Sequence, residues 1–397
     1  MRKIDLSNFQ VATSETARDI NRRIVLNLIR KHQPVSRADL SRRSGLQRST
    51  VSAIAEQLID ERWITEGALG NVPRGRKPTF LHLNGQRAGI IGVNIRPLNT
   101  TIALAGLDME FLCQESMPTG TSPNRFIAEL SRRLGEVIKG HPEMDFEGIG
   151  IAVPGRVDLT SQKLVFAPNL GWTGLDLKTP LESATQLPVE LENAANVCAL
   201  AELWSGSHGE GIRHLVAVTV SEGIGVGMIL NGQLLRGATG LAGEFGHVAI
   251  RESGPMCRCS NRGCWEVWAS NTAAIRFYSN TASHRDIPTS APRFEDILRL
   301  ADQGDWKAGE ALNEMGHHLG LGLAMLVTGL APDVIVLFGE FTQAWPRMEP
   351  IIQKVLKERQ PTHASTLIVP TDPTTQPRLR GTIALVLQKH FGLPALA

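Results

Sequence analysis

The sequence is poor in cysteine and lacks a secretory signal. It has 5 cysteines in 397 residues, of which three crowd between Cys257 and Cys264 while Cys113 and Cys198 stand alone. A disulfide framework would need an even set spread along the chain. The first ten residues contain no apolar segment of the kind that directs secretion. We therefore expect a reduced, cytoplasmic protein with a metal-binding cysteine cluster, and expect the two lone cysteines to be small buried apolar side chains.

Long hydrophobic runs are also missing. The most apolar stretch, residues 319–338, is divided by Pro332-Asp333 into a glycine-rich helical pattern and a predicted strand, Val334–Phe338. A membrane span needs about 20 uninterrupted apolar residues, so we expect no membrane partner. The composition, 42% hydrophobic and 20% charged, is that of folded domains and excludes collagen, coiled-coil rods and disordered tails.

The chain as a whole has almost no net charge, but its two parts carry opposite net charges. The net charge is +2. Residues 1–83 carry 15 Lys and Arg against 8 Asp and Glu, which gives +7, so the other residues together carry −5. A small basic segment joined to a larger acidic one is typical of a nucleic-acid reader attached to a second function. We name residues 1–83 the head and residues 84–397 the body.

The head contains three predicted helices. A helical pattern of apolar residues begins at Ile20 and stops before Pro34. Ser36-Arg37-Ala38-Asp39 is typical of a capping box, which opens a short second helix that ends near Gly45. A third helix has apolar residues at i, i+3, i+4, i+7 and i+8 from Val51, with polar residues on its outer side. This order predicts a helix-turn-helix.

A basic wing follows the third helix. The predicted loop Gly67 to Pro78 contains Arg-Gly-Arg-Lys, and an alternating strand, Thr79–Leu83, comes next. Such side chains can lie along phosphates or enter a narrow minor groove, so we predict a winged helix-turn-helix that binds double-stranded DNA. The alternative is a small protein-interaction domain followed by a solvated linker. The predicted DNA contacts are Arg37, Gln47, Arg48, Ser49, Thr50, Ser52, Arg74, Arg76 and Lys77.

The body has the pattern of an α/β protein. Residues 88–95 and 101–105 predict a hairpin, and further strands are predicted at 148–153, 215–220 and 334–338. Helical stretches such as residues 194–204 lie between them. This order predicts a body of two α/β lobes.

One local motif in the body has metal-ligand spacing. His247, Cys257, Cys259 and Cys264 form the pattern H-x9-C-x-C-x4-C. Three thiolates and one imidazole make a closed tetrahedral set that zinc favours, with no open position for a reactive water. We therefore predict a structural zinc site; the alternative is four unconnected residues.

The same segment carries a family resemblance. Residues 241–247, Leu-Ala-Gly-Glu-Phe-Gly-His, and residues 257–266 closely resemble the signature of the ROK family, which groups bacterial sugar kinases with sugar-responsive repressors. The resemblance runs from about residue 86 to the end, and the winged head resembles the repressor branch, including xylose-type repressors. Supporting matches lie at residues 153–158, 168–172 and 192–196.

The resemblance implies an architecture and a binding site. The fold would be actin-like, with a first lobe at 84–195 joined by a C-terminal helix at about 381–397, and a second lobe at 196–380 that carries the zinc. A sugar would lie in the cleft between the lobes, where side chains that donate and accept several hydrogen bonds can hold its hydroxyls. The implied sugar-binding residues are Asn169, Asn193, Glu244, His247 and Glu266.

Four features of the family's kinases are missing. The first phosphate loop reads Asn94-Ile95-Arg96-Pro97-Leu98, without its glycine, and the catalytic base position holds Ala194. The second phosphate turn contains Glu222, and the usual late Gly-Gly pair is Gly339-Glu340. The sequence therefore predicts a sensor and not an enzyme.

We expect a homodimeric or homotetrameric regulator, a repressor released from its operator by a sugar. Loss of the base at position 194 removes a contact to distal hexose hydroxyls, which favours a pentose such as xylose or a differently substituted hexose. The alternatives are a DNA-binding sugar kinase, a regulator that responds to a partner protein, and a scaffold with a vestigial cleft.

Overall fold

The computed structural model describes residues 14–69, 79–206, 212–359 and 365–392. The α-helices within these ranges are α1 (Ser14–His32), α2 (Arg37–Ser44), α3 (Arg48–Asp60), α4 (Pro123–Gly140), α5 (Lys178–Thr185), α6 (Ala194–Ser205), α7 (Glu266–Ala269), α8 (Asn271–Ser279), α9 (Phe294–Asp302), α10 (Trp306–Leu330), α11 (Trp345–Arg359) and α12 (Pro377–Phe391).

The strands form two small and two large sheets. They are β1 (Val35–Ser36), β2 (Ile64–Leu69), β3 (Thr79–Leu83), β4 (Ala88–Ile95), β5 (Asn99–Ala105), β6 (Phe111–Pro118), β7 (Asp145–Val153), β8 (Arg156–Val157), β9 (Leu164–Ala167), β10 (Trp172–Leu175), β11 (Val189–Asn193), β12 (Leu215–Val220), β13 (Ile224–Leu230), β14 (Gln233–Leu234), β15 (Val334–Phe338) and β16 (Leu367–Pro370).

The head is a winged helix-turn-helix. Helices α1 to α3 combine with the sheet β1-β3-β2, in which β1 lies between α1 and α2 and the other two strands follow α3. The capping box is present, because the Asp39 backbone N–H donates to Ser36 Oγ at 3.2 Å, and Gly45 caps the end of α2. Two predicted bounds were wrong. Helix α1 begins at Ser14 and not at Ile20, and β2 extends to Leu69, so residues 67–69 belong to a strand and not to the wing loop.

The first large sheet of the body has the order β11-β7-β4-β5-β6. The predicted hairpin is confirmed by the antiparallel pairing of β4 with β5, while β4 and β7 run parallel. One face packs against α4, whose Phe126, Leu130 and Leu134 join the core formed by the sheet. The edge strand β6 holds the half-buried Cys113, which is less buried than predicted.

The second large sheet has the order β14-β13-β12-β15-β16. Strands β12 and β15 have the predicted bounds and pair in parallel. The long helix α10 buries one face against this sheet and ends before Pro332, as predicted. No helix in the described ranges is long and apolar enough to cross a membrane.

Helices α6 and α12 lie between the two large sheets. Helix α6 packs on β12 and β13, whereas α12 packs on β4 and β7. The two helices approach so closely that a Cβ on Gly381 would meet the Val197 carbonyl oxygen at 1.9 Å, so only glycine fits there. Cys198, on α6, is fully buried as predicted. The C-terminal helix spans 377–391, so the predicted start at 381 was four residues late.

The head is fastened to the far ends of these two helices. From α1, Arg23 Nη1 donates to the Gly392 carbonyl oxygen and Arg30 Nη1 donates to that of Trp204, each at 2.6 Å. Arginine donors at helix C-termini satisfy carbonyl groups that have no partner within the helix. The orientation of the head therefore depends on where α6 and α12 end.

Candidate functional site

A cleft of about 370 Å³ opens between the two large sheets. Its walls include the start of α6, the loops after β4 and β12, and the segment that leads into α7. All five residues that the family resemblance implied for sugar binding line this cleft: Asn169, Asn193, Glu244, His247 and Glu266.

The four predicted metal ligands come together beside the cleft. One ligand atom from each of His247, Cys257, Cys259 and Cys264 lies within 4.8 Å of all the others. His247 ends a short 3-10 turn, and the bridge between Ala249 and Cys264 brings the two parts of the motif together. A donor set of three sulfurs and one imidazole nitrogen fits a tetrahedral soft-metal site.

Burial makes two thiols of this cluster, Cys257 and Cys264, harder to ionise when no cation is bound. Burial raises the pKa of Cys264 to about 11, and burial likewise raises the pKa of Cys257. A bound divalent cation reverses this preference, because it stabilises thiolates directly. The site is therefore chemically suited to an ion and costly to ionise without one.

His247 connects the metal cluster to the cleft. Its Nδ1 lies 3.5 Å from Cys257 Sγ, whereas its Nε2 lies 3.7 Å from Glu244 Oε2. The two ring nitrogens thus point in different directions, one to the thiols and the other to a carboxylate on the cleft wall. Binding of a metal at Nδ1 would fix the ring and leave the Nε2 edge for a ligand.

The carboxylate of Glu266 is held in place by neighbouring groups. Its Oε2 accepts a hydrogen bond from the Ile224 backbone N–H at 3.0 Å, and its Oε1 lies 3.7 Å from Cys257 Sγ. A Cβ on Gly223 would sit 2.2 Å from Glu266 Oε2, so the turn must contain glycine for the carboxylate to fit. Burial raises the pKa of Glu266. We call Glu244, His247, Glu266 and the three clustered cysteines the metal side of the cleft.

The two asparagines already have internal partners. Asn193 caps α6, since its Oδ1 accepts from the Ala195 backbone N–H at 2.8 Å and its Nδ2 donates to the Gly155 carbonyl oxygen at 2.9 Å. Asn169 Oδ1 accepts from Arg258. Each amide keeps further hydrogen-bonding capacity for a ligand. Ala194, which follows the cap, lines the cleft with a methyl group that cannot accept a proton.

The opposite wall is built from ion pairs. Arg96 Nη2, in the loop after β4, lies 3.0 Å from Glu340 Oε1 and 3.5 Å from Glu222 Oε1. Burial disfavours the charged guanidinium, but the two carboxylates outweigh burial and raise the pKa of Arg96. Nearby, Arg378 Nη2 of α12 donates to Ser221 Oγ at 3.3 Å. We call Arg96, Ser221, Glu222, Glu340 and Arg378 the ionic side of the cleft.

The sequence analysis missed these arginines as site residues. It identified the segments around Arg96, Glu222 and Glu340 only as three separate losses of phosphate-binding features. The signal was present in the charges, because the first segment gained a cation where the other two gained anions. Three-dimensional contact was needed to show that these changes compensate one another.

The predicted DNA contacts fall into three groups. Gln47, Arg48 and Ser49 are exposed at the start of α3, and Thr50 and Ser52 are half-buried on the same helix. Arg37 is engaged by Glu66 of β2 at 2.8 Å, so its guanidinium already has an acidic partner. The wing residues Arg74, Arg76 and Lys77 lie outside the described ranges.

Comparisons with known proteins cover both parts of the chain. A model of the ROK family matches residues 90–389, and a model of winged helix-turn-helix DNA-binding domains matches residues 18–65. The xylose repressor of Bacillus spizizenii is 32% identical over 352 residues, which are 88% of this chain and 89% of that protein.

Solved structures give the same division. A ROK family transcriptional regulator, a homolog of the E. coli MLC protein, has a TM-score of 0.79 and 26% identity, and the match covers 95% of this chain and 98% of that one. A ROK family glucokinase from Streptomyces griseus, in complex with glucose and AMPPNP, has a TM-score of 0.66 and 25% identity over 76% of this chain and 100% of its own. The regulator matches nearly the whole chain, whereas the kinase matches about three quarters of it.

Proposed function

The chain belongs to the ROK family, and from that premise we propose a sugar-responsive DNA-binding transcriptional regulator, a repressor that leaves its operator when a sugar binds in the cleft. One observation carries the proposal. The five hydroxyl-binding candidates line a cleft that also contains the first turns of α6 and α12, and the far ends of these helices hold the head.

We propose that phosphoryl transfer has been lost. Ala194 stands where a general base would be needed, and such a loss typically lowers a rate by about 10² to 10⁴. On the ionic side, Glu222 and Glu340 would place negative charge beside a polyphosphate. The competing function is a DNA-binding sugar kinase. A coupled assay with ATP and a panel of pentoses and hexoses separates the two, since turnover at ordinary sugar-kinase rates would contradict the sensor.

We propose that the metal is zinc and that its role is structural. Four protein ligands would fill a tetrahedral shell, so no position would remain for a reactive water. The ion would supply charge and geometry only, holding three thiolates and the Nδ1 of His247. His247 would then present Nε2, and Glu244 its carboxylate, to the hydroxyls of a sugar.

The sugar class follows from the shape of the cleft. The methyl group of Ala194 offers no hydrogen bond where a distal hydroxyl of a hexose would lie. A pentose such as xylose loses nothing by this change, and a relative 32% identical to this chain is a xylose repressor. We therefore propose xylose or a closely similar aldose as the effector.

Release from DNA would follow from a change in head orientation. A homo-oligomer, dimer or tetramer, places two heads at a fixed spacing and reads two half-sites related by two-fold symmetry. If the sugar prefers one arrangement of the lobes, α6 and α12 carry that preference to α1. A coupling of a few kcal/mol, about 1 to 3, would suffice.

The test measures sugar and operator binding in the same preparation. A thermal-shift screen of D-xylose, D-glucose, N-acetylglucosamine and their phosphates identifies the effector, and titration of DNA from upstream of its own coding region follows with any hit. We expect a rise in melting temperature with one sugar and weaker operator binding in its presence. Stabilisation by no sugar, or operator binding that ignores the sugar, would contradict the proposal.

Arg48→Ala tests the head separately. Arg48 is exposed at the start of α3, so its loss should weaken operator binding and reduce the salt dependence by about one phosphate contact. Sugar binding should stay unchanged. Arg132→Ala, on the outer face of α4, is the matched control and should leave both unchanged. Equal operator binding by the Arg48 variant and the control would mean that α3 does not read DNA.

A further inference from the structure

The ionic side of the cleft joins segments that follow strands of two different sheets. Arg96 follows β4 of the first large sheet, whereas Glu222 follows β12 and Glu340 follows β15 of the second. One guanidinium nitrogen of Arg96 reaches both carboxylates, at 3.0 Å and 3.5 Å. The contact therefore spans the cleft from one sheet to the other.

The carboxylate of Glu340 is positioned for this contact. Its Oε2 accepts a hydrogen bond from Asn271 Nδ2 at 3.2 Å, which leaves Oε1 for Arg96. Its side chain is 21% exposed, and that of Arg96 is 31% exposed. Burial opposes ionisation of Glu340, but Arg96 and Arg378 more than offset it and keep the pKa of Glu340 below its ordinary value. The pair of Arg96 and Glu340 is only partly exposed, so salt screens it less than it screens a fully exposed surface pair.

These positions coincide with the three phosphate-binding segments that the family resemblance assigns to kinases. The resemblance implies that in the kinases these segments, which come from both lobes, hold the phosphates of a nucleotide. In this chain, opposite charges on the same segments connect the two lobes directly. The losses at the three segments are therefore complementary changes, because a cation on one lobe would be unpaired without the anions on the other.

We propose that Arg96, Glu222 and Glu340 form an interlobe tie that takes the place of the nucleotide and keeps the ionic side of the cleft closed. The sugar then needs to close only the metal side. This inference rests on the proposed sugar-sensing function, which it deepens: it explains how a two-lobed body responds to a sugar alone. In this proposal Arg96 is a positioning residue that acts through Glu222 and Glu340.

The first experiment needs no sugar. Hydrogen exchange of the ligand-free full chain is compared for wild type, Arg96→Ala, Arg96→Lys and the control Arg132→Ala, whose carboxylate partners all lie on its own helix. We expect Arg96→Ala to raise exchange severalfold in residues 94–98, 221–223 and 339–344, with Arg96→Lys intermediate and the control unchanged. Equal exchange in Arg96→Ala and wild type would overturn the tie.

A double-mutant cycle then tests the pairing itself. Glu340→Gln keeps an oxygen for Asn271 but removes the charge. If Glu340 acts through Arg96, the double variant should show no more exchange than Arg96→Ala alone, and Glu340→Gln, which leaves the contact of Arg96 with Glu222, should show a smaller increase than Arg96→Ala. Increases that simply add in the double variant would show two unrelated effects and would overturn the pairing.

The cost to sugar binding is measured with D-xylose by calorimetry. Without the tie, part of the free energy of sugar binding is used to close the cleft. We therefore expect Arg96→Ala to bind D-xylose about three- to tenfold more weakly than Arg132→Ala. Equal or tighter binding would overturn the proposed role. Failure of wild type to bind any sugar would count against the proposed function alone, since the exchange experiments decide the tie without a ligand.

Discussion

The two sides of the cleft use polar residues in opposite ways. On the metal side, His247 and Glu266 lie beside Cys257, Glu266 also accepts a backbone hydrogen bond, and Glu244 stays partly exposed on the cleft wall. On the ionic side, Arg96 and its carboxylates satisfy one another. A side chain that is anchored and still has free hydrogen-bonding capacity can recognise a ligand, whereas a group already paired with its opposite charge is unavailable.

This difference teaches how a fold shared with kinases can serve a sensor. The hydroxyl-binding candidates lie together, and the segments opposite them pair with one another. Under the proposed function, sensing without catalysis needs both features. A lone Ala194 removes a base but leaves room for a nucleotide, and lone carboxylates would be costly without Arg96.

The largest effect on the contrast between the two sides is expected at Glu244 on the metal side. Its carboxylate faces the cleft and its side chain is 40% exposed. Glu244→Ala should lower affinity for D-xylose by about 100-fold, since charge-assisted hydrogen bonds to hydroxyls are lost. The fold should be unaffected, because the side chain packs against little else. Calorimetric titration measures the affinity, with the nearby exposed Glu252→Ala as control. Unchanged affinity in Glu244→Ala would place the sugar elsewhere.

The second prediction removes the support behind the metal side. Cys259→Ser should lose the bound metal and weaken D-xylose binding by about 10- to 100-fold, because His247 is no longer fixed. Elemental analysis and calorimetry on the same sample give both values. Cys113→Ser, a cysteine outside the cluster, is the control and should retain metal and affinity. Full affinity in a metal-free Cys259→Ser protein would separate the cluster from the sugar site.

The third prediction concerns the junction between head and body, where Arg87 Nε donates to the Glu61 carbonyl oxygen at 2.9 Å. It shows whether weaker sugar binding could arise at this junction instead of at the cleft. There, Glu147 accepts from His390 Nε2 and from Arg87 Nη1, each at 2.7 Å. The His390 hydrogen bond is the largest influence, and together the contacts lower the pKa of Glu147 from 4.5 to about 2. Because the folded pKa is depressed, the stabilisation is complete above pH 4.5 and is lost as the pH falls from 4.5 towards 2.

Glu147→Gln should therefore lower the free energy of unfolding by about 2 kcal/mol at pH 7 and by much less near pH 2. Urea unfolding at both values measures the difference. Its affinity for D-xylose should equal that of wild type, since Glu147 is remote from the cleft lining. An equal loss of stability at both pH values would exclude ionisation of Glu147 as the cause.

The smallest effect, on phosphoryl transfer, is expected from a substitution at Ala194. Ala194→Asp places a carboxylate at the proposed base position, yet phosphoryl transfer should stay at background if, as proposed, Glu222 and Glu340 repel a polyphosphate. A coupled assay with ATP and D-xylose or D-glucose measures it, with wild type as reference. Appearance of kinase turnover in this single variant would show that the ionic side does not exclude nucleotide, and the contrast between the two sides would fail.

Much of the fold followed from local patterns. Strands β12 and β15 and the second helix of the head appeared at the predicted places, because short continuous apolar runs, capping and glycine stops act within a few residues. Ends were less predictable. Helix α1 begins six residues before its apolar pattern, and α12 begins four residues before the predicted start. Residues 14 and 15 of α1 are exposed, so its first turn has no apolar pattern that could mark where the helix begins.

For the candidate site, the sequence by itself determined the metal motif and the residues that resemble a hydroxyl-binding set, since both are short patterns with strict residue requirements. Only the tertiary structure decided that His247 divides its two nitrogens between cysteines and cleft, and that Arg96 pairs with Glu222 and Glu340. Charges separated by 126 and 244 positions carry no local signal of contact. Their attraction becomes strong only when folding brings them within a few ångströms and away from water.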